Sequence, residues 1–401
     1  MSSMPPPLRI LMIYDCIYPV SLGGVEYRNY CLARALVDRG HSVCLAGWGD
    51  LPATSLPAGV TLVRLPYAAP LHDRDGKRGI VPTLRFAAAM LRLDLSAYDI
   101  VETANIPALH LFPLAVRCWL ERKPLVVSWY EFFGPYWQTY KGRLAAPLFR
   151  WIEWLAAQRG DRVNASCEQT RVKLAGARRL KSPTPPLLPC GVWLADVQRV
   201  LERPPIPAPQ LLYAGRLIPE KRLDLLLRAI ALLPPPREAT VQLGIVGDGT
   251  ERKALEALSR DLGLERRVRF YGRLPAIEDM WHLLAHVELA VQPSKREGFG
   301  LFPLEALALG KPVIYCAAEE NAIGDVVRHD REGLRSDPTP EALAAAIARL
   351  LDDPVERAEF SRRARERAEE YDWPCIARQA EALFAGGDLP PRPAPSGGPS
   401  S

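Results

Sequence analysis

The chain predicts an α/β protein of two doubly wound domains, each built on a parallel sheet and separated by a proline-rich connector. Three observations lead there. Short apolar runs of strand length alternate with segments of helical period, once before residue 185 and again after 210. Glycines stand where strands hand over to helices, at Gly23-Gly24, Gly247 and Gly298 to Gly300. Between the two series, Ser182 to Pro209 is rich in proline, the composition of a stiff linker.

Taken in order, Leu8 to Tyr14 reads as a strand, and the loop after it ends in Gly23-Gly24. A helix follows over about 25–39, stopped by Gly40-His41, with the next strand at Ser42 to Ala46. Further strands are expected at Val60 to Leu65, Asp99 to Glu102 and Leu125 to Ser128. Tyr140 to Gln158 sets Arg143, Phe149, Arg150, Trp151 and Trp154 at helical spacing. Cations among aromatics suit a membrane interface, but inward packing of Phe149, Trp151 and Trp154 is the favoured reading. The second series runs through strands at Gln210 to Ala214, Val241 to Val246, Val268 to Tyr271 and Val287 to Val291. Helices lie between them, at Leu223 to Leu233 and Glu251 to Leu262. Two charged helices, about 340–351 and 355–370, precede a final one ending near Phe384. The expected division is 1–185, a connector at 186–209, a second domain at 210–370, a last helix at 371–385 and a disordered tail at 386–401.

Composition narrows the class. At 48% hydrophobic and 24% charged, the chain reads as soluble and globular. The longest apolar stretch, Ile106 to Val116, holds two prolines and a histidine and is too short to span a bilayer. Met1 to Arg9 lacks the pattern of a signal peptide. Eight scattered cysteines without a Cys-x-x-Cys read as reduced thiols of a cytoplasmic protein, with no metal-ligand spacing. Residues 1–200 hold 24 Lys and Arg against 15 Asp and Glu, and the remainder 27 against 31. The basic first half suits an anionic surface or acceptor; an ordinary surface imbalance fits equally.

The densest chemistry lies between Ser294 and Ile314. Gly298 and Gly300 permit a tight turn around Phe299, and Leu301 begins a helix whose first turn accommodates Pro303. Gly310 ends that helix and Val313-Ile314 starts the next strand. A helix start after a glycine turn offers free amides to an anion. Glu297 and Glu305 flank it, and carboxylates accept hydrogen bonds from paired hydroxyls. An anion with hydroxyls on both sides describes a nucleotide sugar. Alone, either glutamate reads as a solvated or dipole-facing charge; the whole unit does not.

This unit, Glu297-Gly-Phe-Gly-Leu-Phe-Pro-Leu-Glu305, resembles the E-x7-E signature of retaining glycosyltransferases of family 4, which have the GT-B architecture of two Rossmann-like domains facing a cleft. Other segments agree in order. Tyr18-Pro19 with Gly23-Gly24-Val25-Glu26 resembles the family's start, where the glycine pair lies beside the donor diphosphate. Gly215-Arg216-Leu217-Ile218-Pro219-Glu220-Lys221 matches its Gly-Arg-Leu-x-Pro-x-Lys. Gly247 and Arg273 fall where the family binds donor, and Tyr371 onward where its last helix crosses back to the first domain. Trp129-Tyr130-Glu131 sits where members usually carry a histidine in place of Tyr130, and Cys190 replaces an asparagine.

The resemblance implies hexose transfer from a UDP- or GDP-sugar to a hydroxyl of a glycan or lipid-linked acceptor. No metal and no other cofactor are expected. Glu297 would position the hexose and Glu305 the ribose, while Arg216 and Lys221 neutralise the diphosphate. Gly298, Phe299, Gly300 and Leu301 complete the donor set, with Tyr130 and Glu131 near the acceptor. The implied partners are the donor and acceptor, with peripheral membrane contact through the basic first domain, at the inner face, and no nucleic acid. Asn321 either faces the donor or caps its loop. Three rivals stand beside this reading. One is a catalytically impaired nucleotide-sugar-binding protein, suggested by Tyr130. A second is a metal-dependent transferase using Asp73-Arg74-Asp75, a pair with no strand before it. The third, a dinucleotide oxidoreductase, lacks the glycine spacing its cofactor needs.

Overall fold

The computed structural model describes residues 6–21, 23–49, 52, 55–66, 78–178, 184–234, 240–387 and 389–390. Asp73-Arg74-Asp75 and the tail beyond residue 390 lie outside that set. The chain divides into two compact units, Met1–Gly191 with Trp373–Pro391, and Val192–Asp372.

The first unit is built on six strands: β1 (Arg9–Cys16), β2 (Ser42–Trp48), β3 (Val60–Arg64), β4 (Ile100–Ala104), β5 (Leu125–Trp129) and β6 (Arg162–Ala165). Their order is β3-β2-β1-β4-β5-β6, and every pairing is parallel. Ile13 sits in register with Ala46 on one side and Thr103 on the other. β1, β4 and β5 are buried almost end to end, as strands covered on both faces must be. Its helices are α1 (Gly24–Val37), α2 (Ile80–Met90), α3 (Leu111–Leu120), α4 (Trp137–Lys141), α5 (Ala146–Ala157) and α6 (Glu168–Ala177). The strand order reverses after β3, so right-handed crossovers place α2, α3 and α5 on the face opposite α1.

The second unit repeats the plan with β7 (Leu211–Ala214), β8 (Leu243–Val246), β9 (Val268–Gly272), β10 (Leu289–Gln292), β12 (Val313–Cys316) and β14 (Gly333–Ser336), in the order β14-β12-β10-β7-β8-β9. A separate two-stranded ladder pairs β11 (Arg296–Glu297) with β13 (Glu320–Asn321). Its helices are α7 (Leu194–Leu201), α8 (Leu223–Ala231), α9 (Arg252–Asp261), α10 (Ile277–Ala285), α11 (Leu301–Ala308), α12 (Ile323–Val326), α13 (Pro340–Asp352) and α14 (Pro354–Glu369). Leu226 and Ile230 of α8 meet Leu343 and Ile347 of α13 over Leu211, Val291 and Ile314 of the sheet. β10 begins two residues later than its apolar run suggests. The His286 and Val287 amides still close the preceding helix, and Glu288 and Leu289 both donate to the Gln210 carbonyl.

Two expectations change here. The proline-rich stretch is not bare linker: α7 forms within it and packs on α10, ahead of the prolines at 204–209. In α5, Phe149 does pack inward, stacking on Trp137 with ring centroids 5.0 Å apart, but Trp151 and Trp154 point outward.

The last helix, α15 (Trp373–Ala385), belongs to the first unit and packs on α1, as the family resemblance implied. Glu381 holds it there. Its carboxylate takes the Arg39 guanidinium through both nitrogens of a fork, one at 2.7 Å, and meets His41 Nε2 at 2.9 Å. Glu381 and His41 are buried, and the other His41 nitrogen accepts from the Leu8 amide at 3.0 Å. Removing one partner of a buried pair strands the others. Glu381→Ala is therefore expected to destabilise the first unit by about 3–5 kcal/mol. Hydrogen exchange should accelerate first in residues 373–385, whereas unchanged protection there would remove this clamp from the account.

Candidate active site

The strand order of the second sheet reverses between β7 and β10, and open sheets bind ligands outside the carboxyl ends of strands at such a point. The loop after β7 carries Arg216 and Lys221, and the loop after β10 carries Ser294 to Gly300. A backbone bond from the Lys295 amide to the Glu220 carbonyl, 3.0 Å, ties the two loops together.

Lys221 and Glu297 meet across that join, with Nζ 2.5 Å from Oε1. The same oxygen accepts from Gln292 Nε2 at 2.6 Å and Ser294 Oγ at 2.8 Å. Burial alone would raise the Glu297 pKa, but the Lys221 charge and these bonds win and hold it below the usual carboxylate value. Oε2 accepts no hydrogen bond among the described residues, which leaves it for a ligand hydroxyl. Gln292 and Ser294 carry no family signature that the sequence reading used. Their positions five and three residues before Glu297 become meaningful only once β10 turns into the loop.

α11 starts from Gly300, whose φ of 92° suits glycine and whose missing side chain leaves the helix uncapped. The Leu301 and Phe302 amides find no acceptor among the described residues, so the helix start presents free donors next to Glu297. Gly298 is half-buried, and Phe299 is buried with its ring 6.0 Å from that of Tyr371. Glu305, one turn into α11, is 6% exposed and has no charged partner among the described residues. Burial pushes its pKa up to about 8, with the Trp281 indole pulling the other way. At neutral pH it therefore carries a proton and can donate one hydrogen bond as well as accept.

The glycine expected at the donor behaves differently. The Gly247 amide donates to the Gly272 carbonyl at 2.7 Å, so it is not free for a phosphate. A Cβ there would sit 1.9 Å from the Gly215 carbonyl oxygen; Gly247 is required because the turns after β7 and β8 touch. Arg216 follows β7 and Arg273 follows β9, the strands on either side of β8, and both are exposed and without an ion pair among the described residues. The Tyr213 hydroxyl donates to the Arg216 carbonyl at 3.0 Å and feels the Glu297 and Arg216 charges with opposite sign, placing both beside it. Asn321 is consumed structurally: Nδ2 donates to the Ser294 and Cys316 carbonyls, each at 2.9 Å, and Oδ1 takes the Ile323 amide.

In the first unit, Gly23 precedes α1, where a Cβ would lie 2.6 Å from the Glu26 carboxylate, and Gly24 is the first helical residue. Glu26 is itself held by Ser21 Oγ at 2.6 Å. Tyr130 is buried, its hydroxyl has no partner among the described residues, and the Arg28 guanidinium lies 5.6 Å from its ring centroid. It is a packed side chain over the buried Arg28–Glu102 pair (2.9 Å) rather than an open donor. Glu131 is half-buried and its carbonyl accepts from Asn105 Nδ2 at 3.0 Å.

Residues 200–367 match the family model described as glycosyl transferases group 1, and residues 23–191 the glycosyl transferase 4-like domain. The chain belongs to the family-4-like GT-B glycosyltransferases. Among relatives, the Mycobacterium tuberculosis glycogen synthase is 28% identical over 416 residues, covering 96% of this chain and 97% of its own. A Catenulispora acidiphila D-inositol 3-phosphate glycosyltransferase is 36% identical over 192 residues, 45% of this chain and 44% of its own. Among solved structures, Thermosynechococcus elongatus sucrose-phosphate synthase superposes with a TM-score of 0.74 at 24% identity, covering 94% and 98% of the two chains. Anabaena HepE, solved with UDP and glucose, gives 0.70 at 20%, covering 94% and 100%. At such identities the two structures establish the shared GT-B fold.

The protonated Glu305 makes this glycosyltransferase sensitive to base. A carboxyl whose pKa is raised on folding holds its proton in the native state longer than in the unfolded chain. It imposes no cost below about pH 4.5, the unfolded value, and a growing one up to about pH 8. Glu305→Gln removes that cost. Its melting temperature should gain on the parent progressively from about pH 5 to 8 and level off above. A constant offset across that range would mean that Glu305 does not titrate this way.

Proposed function

We propose that the chain transfers a hexose from a UDP- or GDP-sugar to a hydroxyl of a glycan or lipid-linked acceptor, retaining the anomeric configuration and using no metal. The observation that carries this reading is the meeting of Lys221 and Glu297 beside the uncapped start of α11, at the switch point of the second sheet. Cation, free amides and carboxylate suit a diphosphate with a sugar attached. The glycogen synthase and inositol phosphate glycosyltransferase relatives, and HepE solved with UDP-glucose, support a nucleotide-sugar donor.

In this reading Lys221 passes from Glu297 to the diphosphate, joined there by Arg216 and the Leu301 and Phe302 amides. Glu297 turns to the hexose hydroxyls, while Glu305 reads the ribose diol as acceptor and donor at once. The bond from the anomeric carbon to the leaving phosphate breaks as the acceptor oxygen joins that carbon on the same face. The departing phosphate oxygen takes the acceptor's proton, so no separate base is needed. Eight free cysteines fit a cytoplasmic enzyme of glycan synthesis. Tyr130, packed away from solvent, is given no chemical step.

Glu297→Ala and Lys221→Ala should each lower kcat/KM for transfer by about 10²-fold or more. Each also leaves a charge stranded, so the Lys221→Ala/Glu297→Ala double variant is the cleaner control: it should fold near parent stability and remain inactive. Parent-like transfer by these variants would refute the site. Nucleotide binding by the parent, with no turnover across a panel of donors and acceptor extract, would instead favour the impaired binding protein.

A further inference from the structure

The outward faces of α2, α3 and α5 have the wrong polarity for helices that meet only water. In α5, Leu148, Trp151 and Trp154 recur every third residue on the exposed side, the two indoles 58% and 45% exposed. In α3, Trp119 is 77% exposed. Leu84 of α2 and Leu91 just beyond it are exposed too. These are not core residues out of place, because each helix fills the core from its other side with Phe86, Leu114 or Ala156. Amphipathic helices of soluble domains reverse this arrangement on their solvent face.

The three helices form one surface. They share a face of the first sheet, α2 packs on α3, and the Arg159 guanidinium beyond α5 lies 5.4 Å from the Phe112 ring centroid of α3. The free charge beside the α5 tryptophans is positive, and the carboxylate at the end of α3, Glu121, is paired with Arg117. Arg143 and Arg150 flank the tryptophans and have no ion pair among the described residues. The carboxylate of α5, Glu153, is buried and takes the Phe133 and Gly134 amides at 2.7 and 2.8 Å. No helix among the described residues is long and apolar enough to cross a membrane.

We infer that this α2–α3–α5 face docks on an anionic lipid bilayer surface. Indoles settle at the headgroup level, leucines reach the acyl boundary and unpaired arginines meet lipid phosphates. A second copy of the chain fits less well, because isologous pairing would press this arginine-bearing face against a copy of itself, like charge against like. The inference deepens the proposed function by favouring its lipid-linked acceptors, and it rests on that reading only for the acceptor class.

The test is sedimentation of the full chain with phosphatidylcholine vesicles, with and without phosphatidylglycerol. The parent should bind vesicles containing phosphatidylglycerol about tenfold more tightly than phosphatidylcholine alone, and less at high salt. Trp119→Gln/Trp151→Gln/Trp154→Gln should lose at least about tenfold on both kinds of vesicle, and Arg143→Glu/Arg150→Glu only on the anionic ones. UDP affinity and melting temperature should stay at parent values in both variants, showing that they remain folded. Absence of parent binding, undiminished binding by the triple variant, or a parent dimer that the triple variant dissolves would each overturn the inference. A parent that binds vesicles but no nucleotide would sink the donor assignment and leave this surface standing.

Discussion

The second unit is arranged around one ion pair between residues 76 positions apart, Lys221 and Glu297. Each side chain is more than four-fifths buried, a costly state for a charge, and each is tolerated because the other is there. Strand order brings them together: β10 returns beside β7 on the side away from β8, so the loops following the two strands become neighbours. Gln292 and Ser294 saturate one carboxylate oxygen and fix its orientation. The result is a lysine and a carboxylate stored in the positions a diphosphate and a hexose would claim.

Glu305 solves a different problem in the same helix. Among the described residues no cation stands beside it, and burial keeps it neutral. Two glutamates eight residues apart thus hold opposite protonation states at neutral pH. One is ionised by partners and the other is neutralised by burial. That separation suits the two ends of a nucleotide sugar, where one carboxylate only accepts while the other can also donate.

What the sequence revealed was mostly local. The Gly298–Gly300 turn, Pro303 helix start and Gly310 stop follow from periods and backbone preferences within about twenty residues, so the helix of the E-x7-E unit was legible, while the strand before it starts two residues later than its apolar run. The cation motif at 215–221 was equally plain, but its contact with Glu297 was not, since nothing local encodes strand order. Gly247 shows the limit from the other side: a glycine can mark a phosphate or a crowded crossing, and here the Gly215 carbonyl decides for the crossing. Tyr130 and Asn321 likewise needed their neighbours before burial and saturated hydrogen bonds could be seen. For α5, the helical spacing of Trp151 and Trp154 was visible, but the direction they face depends on which side the sheet covers.

The most direct test is a crystal structure of the chain with a UDP- or GDP-sugar bound. The account predicts the pyrophosphate at the Leu301 and Phe302 amides, Lys221 drawn off Glu297 onto a phosphate oxygen, and Glu297 facing the hexose. A nucleotide sugar seated elsewhere, with the Lys221–Glu297 contact undisturbed, would contradict it.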